Sequence, residues 1–194
     1  MEPLNLNFVP FPILKTGRLT LRKLELTDAK DYHEIRSNPT VLKYVARPLS
    51  QSLEDTIAVI ERVHVTIDKQ EGINWAICLK GTAKTIGTIG FYRTQAQHFR
   101  TEIGYELRPE FWGKGIMSEA MQAVLDYAFF TMNFHSVEAN IDPTNRRSEN
   151  ILLRNHFIKE AHFRENYFFE GKFTDSAIYS LLKSRHEAMN GKGL

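Results

Sequence analysis

Apolar residues recur at three- and four-residue spacing at Ala120, Met121, Val124, Leu125, Ala128 and Phe129, the period of a helix that buries one face. Just upstream the period changes to two. Between Thr101 and Leu107, Glu102, Gly104 and Glu106 project to one side of an extended chain, and Ile103, Tyr105 and Leu107 to the other. Arg108-Pro109-Glu110-Phe111-Trp112-Gly113-Lys114-Gly115 lies between. The centre of the chain therefore reads as strand, glycine loop, helix.

The same two periods divide the rest. Arg18 to Arg22 alternates as a strand. Thr27 or Asp28 can cap a helix to about Ser37, broken by Asn38-Pro39, and a short helix with Val41, Leu42 and Tyr44 follows. From Leu53 to Lys69, Ile57, Ile60, Val63 and Ile67 share a face, and Ser52 with Asp55 comes close to a capping box. Ile73 to Leu79 and Thr85 to Tyr92, joined at Lys80-Gly81, predict an antiparallel hairpin, and Gln95 to Arg100 a polar turn. Ser136 to Ile141 is a strand that Asp142-Pro143 ends. A helix over Arg146 to Arg154 comes next, then strands around Ile158 to Phe169 and Phe173 to Leu182.

Pro3, Pro10 and Pro12 predict that residues 1–14 form an extended segment lying on the domain. The tail from Asn190 to Leu194 is expected to fray. With no repeat, linker or low-complexity stretch, residues 1–194 are expected to form a single domain. Strands outnumber the helices interleaved with them, which excludes a simple doubly wound sheet.

Composition narrows the function classes. At 42% apolar and 25% charged residues the chain has ordinary globular proportions. A net charge of +2, from 25 basic against 23 acidic residues, is too balanced to predict a nucleic-acid partner. No apolar run approaches the roughly 18 residues that span a bilayer, and the N-terminus lacks the basic start of a signal peptide. No membrane partner and a cytoplasmic location are therefore expected. Cys78 is the single cysteine and sits in an apolar run, so it reads as core in a reducing compartment. His33, His64, His98, His135, His156, His162 and His186 are scattered without zinc-ligand spacing, and no metal is expected. Phe163, Tyr167, Phe168 and Phe169 could line a binding groove or stack on bases, but alternating on strands they read as core or dimer contacts. Monomer and homodimer both stay open.

The loop supplies the candidate chemistry. Gly113 and Gly115 let backbone approach a ligand, and the first turn of the following helix leaves N–H groups and a dipole that favour a phosphate or pyrophosphate. Lys114 adds a mobile cation. A tight turn without a ligand would use the same glycines. A Walker loop needs a longer spacer and a Gly-Lys-Ser/Thr ending, and a dinucleotide fingerprint needs a third glycine or alanine where Ser118 stands.

The stretch resembles the acetyl-coenzyme A loop of the GCN5-related N-acetyltransferases, Gln/Arg-x-x-Gly-x-Gly/Ala, with Glu110 at the first position. Trp112-Gly-Lys-Gly-Ile-Met-Ser-Glu-Ala120, together with Thr16-x-Arg18-Leu19-x-Leu21-Arg22, is similar to the subgroup that contains the ribosomal-protein alanine N-acetyltransferases. The resemblance spans about residues 15 to 183. It implies a mixed α/β fold in which a central mixed sheet of about seven strands is flanked by helices. Two central strands splay apart there to hold the cofactor. Acetyl-coenzyme A is then the co-substrate and an amine, in a peptide N-terminus or a small molecule, the acceptor.

Site residues follow from the same resemblance. Glu102-Ile103-Gly104-Tyr105 matches the family's Glu-Ile-Gly-Tyr, whose glutamate is a proposed base, and Glu106 is the second choice. Exposed charges or ion pairs with Arg93 or Arg100 are the alternative reading of both carboxylates. A backbone N–H near Tyr105 would serve the thioester carbonyl, with Gly104 as the expected bulge. Tyr105, Leu107, Arg108, Trp112, Gly113, Lys114, Gly115, Ile116, Met117 and Ser118 are implied cofactor contacts. Asn145 would touch coenzyme A, or simply cap its helix, and Ser148 would face the thiol sulfur as a hydrogen-bond donor or relay. His156 replaces the subgroup's glycine, so Asn155 is expected to take the left-handed cap. Arg47 and His64 fall on the wall of the implied acceptor groove, or on plain solvated surface. A noncatalytic acetyl-coenzyme A sensor is the rival from another class.

Overall fold

A computed structural model describes residues 2–189 and 191. Strands are β1 (Leu14–Lys15), β2 (Leu19–Lys23), β3 (Ile73–Leu79), β4 (Thr85–Gln95), β5 (Arg100–Leu107), β6 (Ser136–Ile141), β7 (Ile158–Phe169) and β8 (Lys172–Leu182). Helices are α1 (Ala29–Arg36), α2 (Pro39–Leu42), α3 (Leu53–Asp68), α4 (Ile116–Phe130), α5 (Arg146–Arg154) and α6 (Lys183–Met189). One sheet runs β1-β2-β3-β4-β5-β6-β8-β7. Its pairs are antiparallel except β5 with β6. This is the mixed sheet flanked by helices that the resemblance implies. An eighth strand, the two-residue β1, joins the expected seven.

The central strands bury both faces, and β3 shows how. Trp75 and Ile77 enter a large cluster with Phe91, Leu125, Phe129 and Phe134 beneath α4, while Ala76 between them enters a smaller one with Leu24, Tyr32, Ile35 and Ile60 beneath α1 and α3. Strand alternation puts neighbours into opposite cores. All six apolar positions of the α4 pattern are buried, joined by Ile116 and Met117. In α3 the capping box between Ser52 and Asp55 is complete, which fixes its start.

The proline-rich segment before residue 14 is fastened to the domain. The indole of Trp75 donates to the Pro12 carbonyl at 2.8 Å, Asn5 N–H to that of Met132 at 3.1 Å, and Phe8 is buried. Arg22, Asp28 and Thr85 tie β2 to the start of β4. Both terminal guanidinium nitrogens of Arg22 reach the carboxylate at 2.7 Å, and the threonine hydroxyl donates to it at 2.9 Å.

Several expectations need correction. Tyr44 lies outside α2, which ends at Leu42. The predicted turn before β5 holds a 3-10 turn at Ala96–His98 and left-handed Phe99. Gly104 is not a bulge: its register with Gly90 is regular, and the irregularity lies between Tyr92 and Gln95, where Arg93 has a φ of 52°. A Cβ on Gly104 would come within 2.5 Å of the Tyr92 ring, so the glycine makes room for that ring. His156, at φ 67°, takes the left-handed position expected of Asn155. Asn155 is buried and donates to Ser118 Oγ at 3.1 Å and the Ile151 carbonyl at 2.8 Å, so the turn passes to the next residue. The expected fraying of the tail falls on residues 190–194, of which the described residues include only Gly191.

Candidate active site

β5 delivers the chain through a 3-10 turn, Pro109–Phe111, into the glycine loop. Gly113 and Gly115 have φ of 72° and 74°, the left-handed region that glycine enters freely. Gly115 caps α4 and no side chain bonds to that end, so the first-turn N–H groups of Ile116, Met117 and Ser118 are available to an anion. The loop is braced from behind. Arg18 donates to the Lys114 carbonyl at 2.9 Å and pairs with Glu119 at 2.6 Å. The indole of Trp112 donates to the Leu107 carbonyl at 2.8 Å, and Arg147 from α5 lies 4.4 Å over its ring.

The expected cofactor contacts thus separate into kinds. Ile116 and Met117 send their side chains into the core, leaving their backbone N–H groups for a ligand. Leu107 is core as well. Ser118 accepts from Asn155, and Lys114 is exposed near the Phe111 ring. Arg108 is buried and turned to carboxylates: Glu110 at 2.9 Å, and Glu34 and Asp31 of α1. Its guanidinium anchors the loop to α1.

Beside the loop the sheet opens. β5 and β6 pair only over Arg100–Glu102 against Ser136–Glu138, and among the described residues no further register joins them. From Ile103 onward, this edge of β5 has backbone donors and acceptors without a strand partner. Across the opening, Tyr105 Oη and Ser148 Oγ are 2.6 Å apart. Burial pushes the Tyr105 phenol well above its ordinary range, although the bond to Ser148 acts in the opposite direction. Asn145 Oδ1 accepts the Ser148 N–H at 3.1 Å, capping α5 and setting Ser148 in place.

On the opposite face of β5 lie both carboxylates, and neither is an exposed charge. Glu102 accepts from the Tyr92 hydroxyl at 3.1 Å and from Arg93 at 3.0 Å. Glu106 meets Arg47 and, at 3.6 Å, Arg36. Arg100 pairs with Glu138 instead. His64, on α3, bonds the Leu24 carbonyl at 2.6 Å.

Sequence reasoning missed Tyr92, Arg36 and the hydroxyl of Tyr105 as site groups. Arg36 and Tyr105 meet partners from distant elements, whereas Tyr92 faces Glu102 directly across the β4–β5 pair, and only the Glu-x-Gly-Tyr run hints at one of the three. Among the described residues no cluster of three or more His, Cys, Asp or Glu is placed to hold a metal. No described helix is long and apolar enough to cross a membrane.

A family model described as an acetyltransferase (GNAT) domain matches residues 18–158. The uncharacterised N-acetyltransferase YoaA of Bacillus subtilis is 35% identical over 90% of this chain and 99% of its own. The spermidine N(1)-acetyltransferase of Vibrio cholerae is 22% identical over 88% of this chain and 96% of its own. The [ribosomal protein uS5]-alanine N-acetyltransferase of Escherichia coli is 33% identical over 41% of each chain. Among solved structures, a GNAT-family acetyltransferase from Bacillus anthracis superposes with a TM-score of 0.80 at 28% identity, covering 89% of this chain and 99% of that one.

Proposed function

The chain belongs to the GNAT acetyltransferase family and is an acetyl-coenzyme A dependent N-acetyltransferase; from that premise we propose that its acceptor is a peptide N-terminus beginning with alanine or serine. Acetyl-coenzyme A is the co-substrate, and residues 1–194 act as one domain. The uncapped first turn of α4 receives the pyrophosphate, Asn145 lies beside the pantetheine arm, and that arm occupies the opening between β5 and β6. The acceptor amine enters from the α1 face. It attacks the thioester carbonyl directly, forming the amide bond as the carbon–sulfur bond breaks. Glu102 takes the amine's proton, and the Ser148–Tyr105 pair returns one to the departing thiolate. A backbone N–H of β5 near Tyr105 polarises the carbonyl. Cys78 is buried in β3, outside the β5–β6 opening, so the route needs no acetylated cysteine.

The observation that carries the mechanism is the arrangement about β5. A carboxylate bonded at 3.1 Å to Tyr92 stands on one face, and a hydroxyl pair at 2.6 Å stands across the opening. For the acceptor, the support is the local similarity to the uS5-alanine enzyme. A polyamine is the second reading, favoured by the full-length similarity to the spermidine enzyme. The charge distribution argues against it, since arginines neutralise both Glu102 and Glu106.

The test is thiol release from acetyl-coenzyme A with alanine- and serine-starting peptides, polyamines and aminoglycosides, comparing the wild type with Glu102→Gln. Peptide-stimulated release that falls at least about 100-fold in the variant, with calorimetric binding of acetyl-coenzyme A unchanged, is the expected result. Release with polyamines alone would overturn the acceptor assignment. Tight binding without release from any acceptor would favour a sensor.

A further inference from the structure

Around Glu102 and Glu106, three arginines face two carboxylates. Arg93 is taken by Glu102 at 3.0 Å. Arg36 and Arg47 then share the single carboxylate of Glu106, leaving one positive charge in excess. Arg36 is only 6% exposed, yet its Nε and Nη1 have no hydrogen-bond partner, and neither does Arg47 Nε; Glu106 Oε2 is likewise unpaired, so three idle donor atoms lie beside one idle acceptor. The acids of α1 are committed elsewhere: Asp31 accepts the Thr85 N–H at 3.1 Å, and Glu34 pairs with Arg108. Tyr32 and Tyr92 are the other titratable groups acting on Arg47, and burial together with Glu102 pushes the Tyr92 phenol up, which keeps it uncharged.

Burying a guanidinium with idle donors is unfavourable unless an acceptor arrives. The strain shows in Arg47, whose pKa burial and the neighbouring Arg36 bring down to about 10. Two planar, multi-donor guanidinium groups with one shared carboxylate form a seat for a second carboxylate. A purely cationic acceptor would be repelled there.

We propose that the acceptor carries a carboxylate a few bonds from its reactive amine, and that this carboxylate seats on Arg36 and Arg47. The inference rests on the acetyltransferase reading and narrows its substrate class. Spacing adds a preference. At about 3.3 Å per residue, Glu106 lies roughly 7 Å along the strand from Gly104, where β5 has parted from β6. An α-carboxyl carbon sits only about 2.5 Å from its own amine nitrogen. An acidic side chain at the second position of a peptide spans the gap better than the carboxylate of a free α-amino acid.

The test uses alanine-starting peptides that differ only at the second residue, Asp, Asn or Lys, with free alanine as the other carboxylate source. For the wild type, kcat/KM is expected to be about tenfold or more higher for Asp than for Asn, with Lys lowest. In Arg47→Gln the Asp-to-Asn ratio should fall towards one. Arg36→Lys, which keeps the buried charge, should lower it less. Free alanine outperforming the peptides, with the same dependence on Arg47, would also support the seat and place the carboxylate on the α-carbon. Equal rates for Asp and Asn, or a ratio unchanged in both variants, would overturn the proposal. Calorimetry separates this failure from that of the catalytic reading. Protein loaded with coenzyme A should bind the N-acetylated Asp peptide more tightly than the Asn peptide whether or not turnover occurs, and equal affinities would sink the seat on their own.

Discussion

Tyr105 of β5 and Ser148 of α5 meet hydroxyl to hydroxyl at 2.6 Å. Burial keeps the phenol protonated at neutral pH, so the pair holds a proton beside the strand opening. Tyr105→Phe and Ser148→Ala should each lower kcat by about 100-fold, with little change in the affinity for acetyl-coenzyme A. Because one bond joins them, the double variant should lose no more than the worse single one. A double-mutant cycle on kcat checks this, and additive losses would show that the two hydroxyls work separately.

The loop glycines make a graded prediction. A Cβ on Gly113 meets nothing within 4 Å, whereas one on Gly115 lies 3.4 Å from Arg18. Both positions carry positive φ, so alanine costs about 1 kcal/mol at each through the backbone alone. Gly115→Ala should cost a similar amount of stability, since the Arg18 side chain is in ordinary contact distance, but it should also weaken coenzyme A binding, because Gly115 caps the first turn of α4. Urea melts and calorimetric Kd values for the two variants provide the comparison.

Gly104→Ala tests the packing of Tyr92. The new methyl would need the space of the ring at 2.5 Å, pushing the Tyr92 hydroxyl away from Glu102. A loss of about 2 kcal/mol in stability is expected, along with a drop in kcat. In a Tyr92→Ala background the same substitution should cost little stability. Equal costs in the two backgrounds, by urea unfolding, would show that something other than the ring constrains position 104.

Acid should loosen the junction at Asp28. Burial alone would raise its pKa, but the Arg22 guanidinium, the Glu25 N–H and the Thr85 hydroxyl outweigh burial and hold it below the ordinary 3.8. A carboxyl depressed in the folded state contributes fully above its unfolded value, and that stability disappears as pH falls through the folded value. Unfolding free energies should therefore fall on acidification below about pH 4. Asp28→Asn should cost about 3 kcal/mol at pH 7 and flatten the acid limb. Urea titrations from pH 3 to 7 measure both effects.

These variants also show how far residue patterns reached. The α4 face, the Ser136–Ile141 strand and the start of α5 were legible because period, Asp142-Pro143 and Asn145 all agree with the fold at those points. α6 was not read, since its buried residue is the polar His186, held by Asp126 at 2.7 Å, and offers no apolar stripe. At Gly104 the pattern marks the residue but not its cause: the space serves a side chain twelve positions upstream, which no local rule encodes. The carboxylates of β5 were found by alternation. The Arg93 partner of Glu102 is legible too, since it lies close in sequence, but Arg36 and Arg47 are not legible as partners of Glu106, because they arrive through tertiary packing of α1 and the chain after α2.

The brief ladder between β5 and β6 also bears on the lifetime of the protein. A ligand that fills the gap adds binding free energy to the native state alone, about 2.7 kcal/mol when present at 100 times its Kd. Transient opening, the event a protease exploits, then becomes about a hundredfold rarer. Starvation for the thioester would expose the chain to degradation, so the abundance of the enzyme would follow the supply of its own acyl donor.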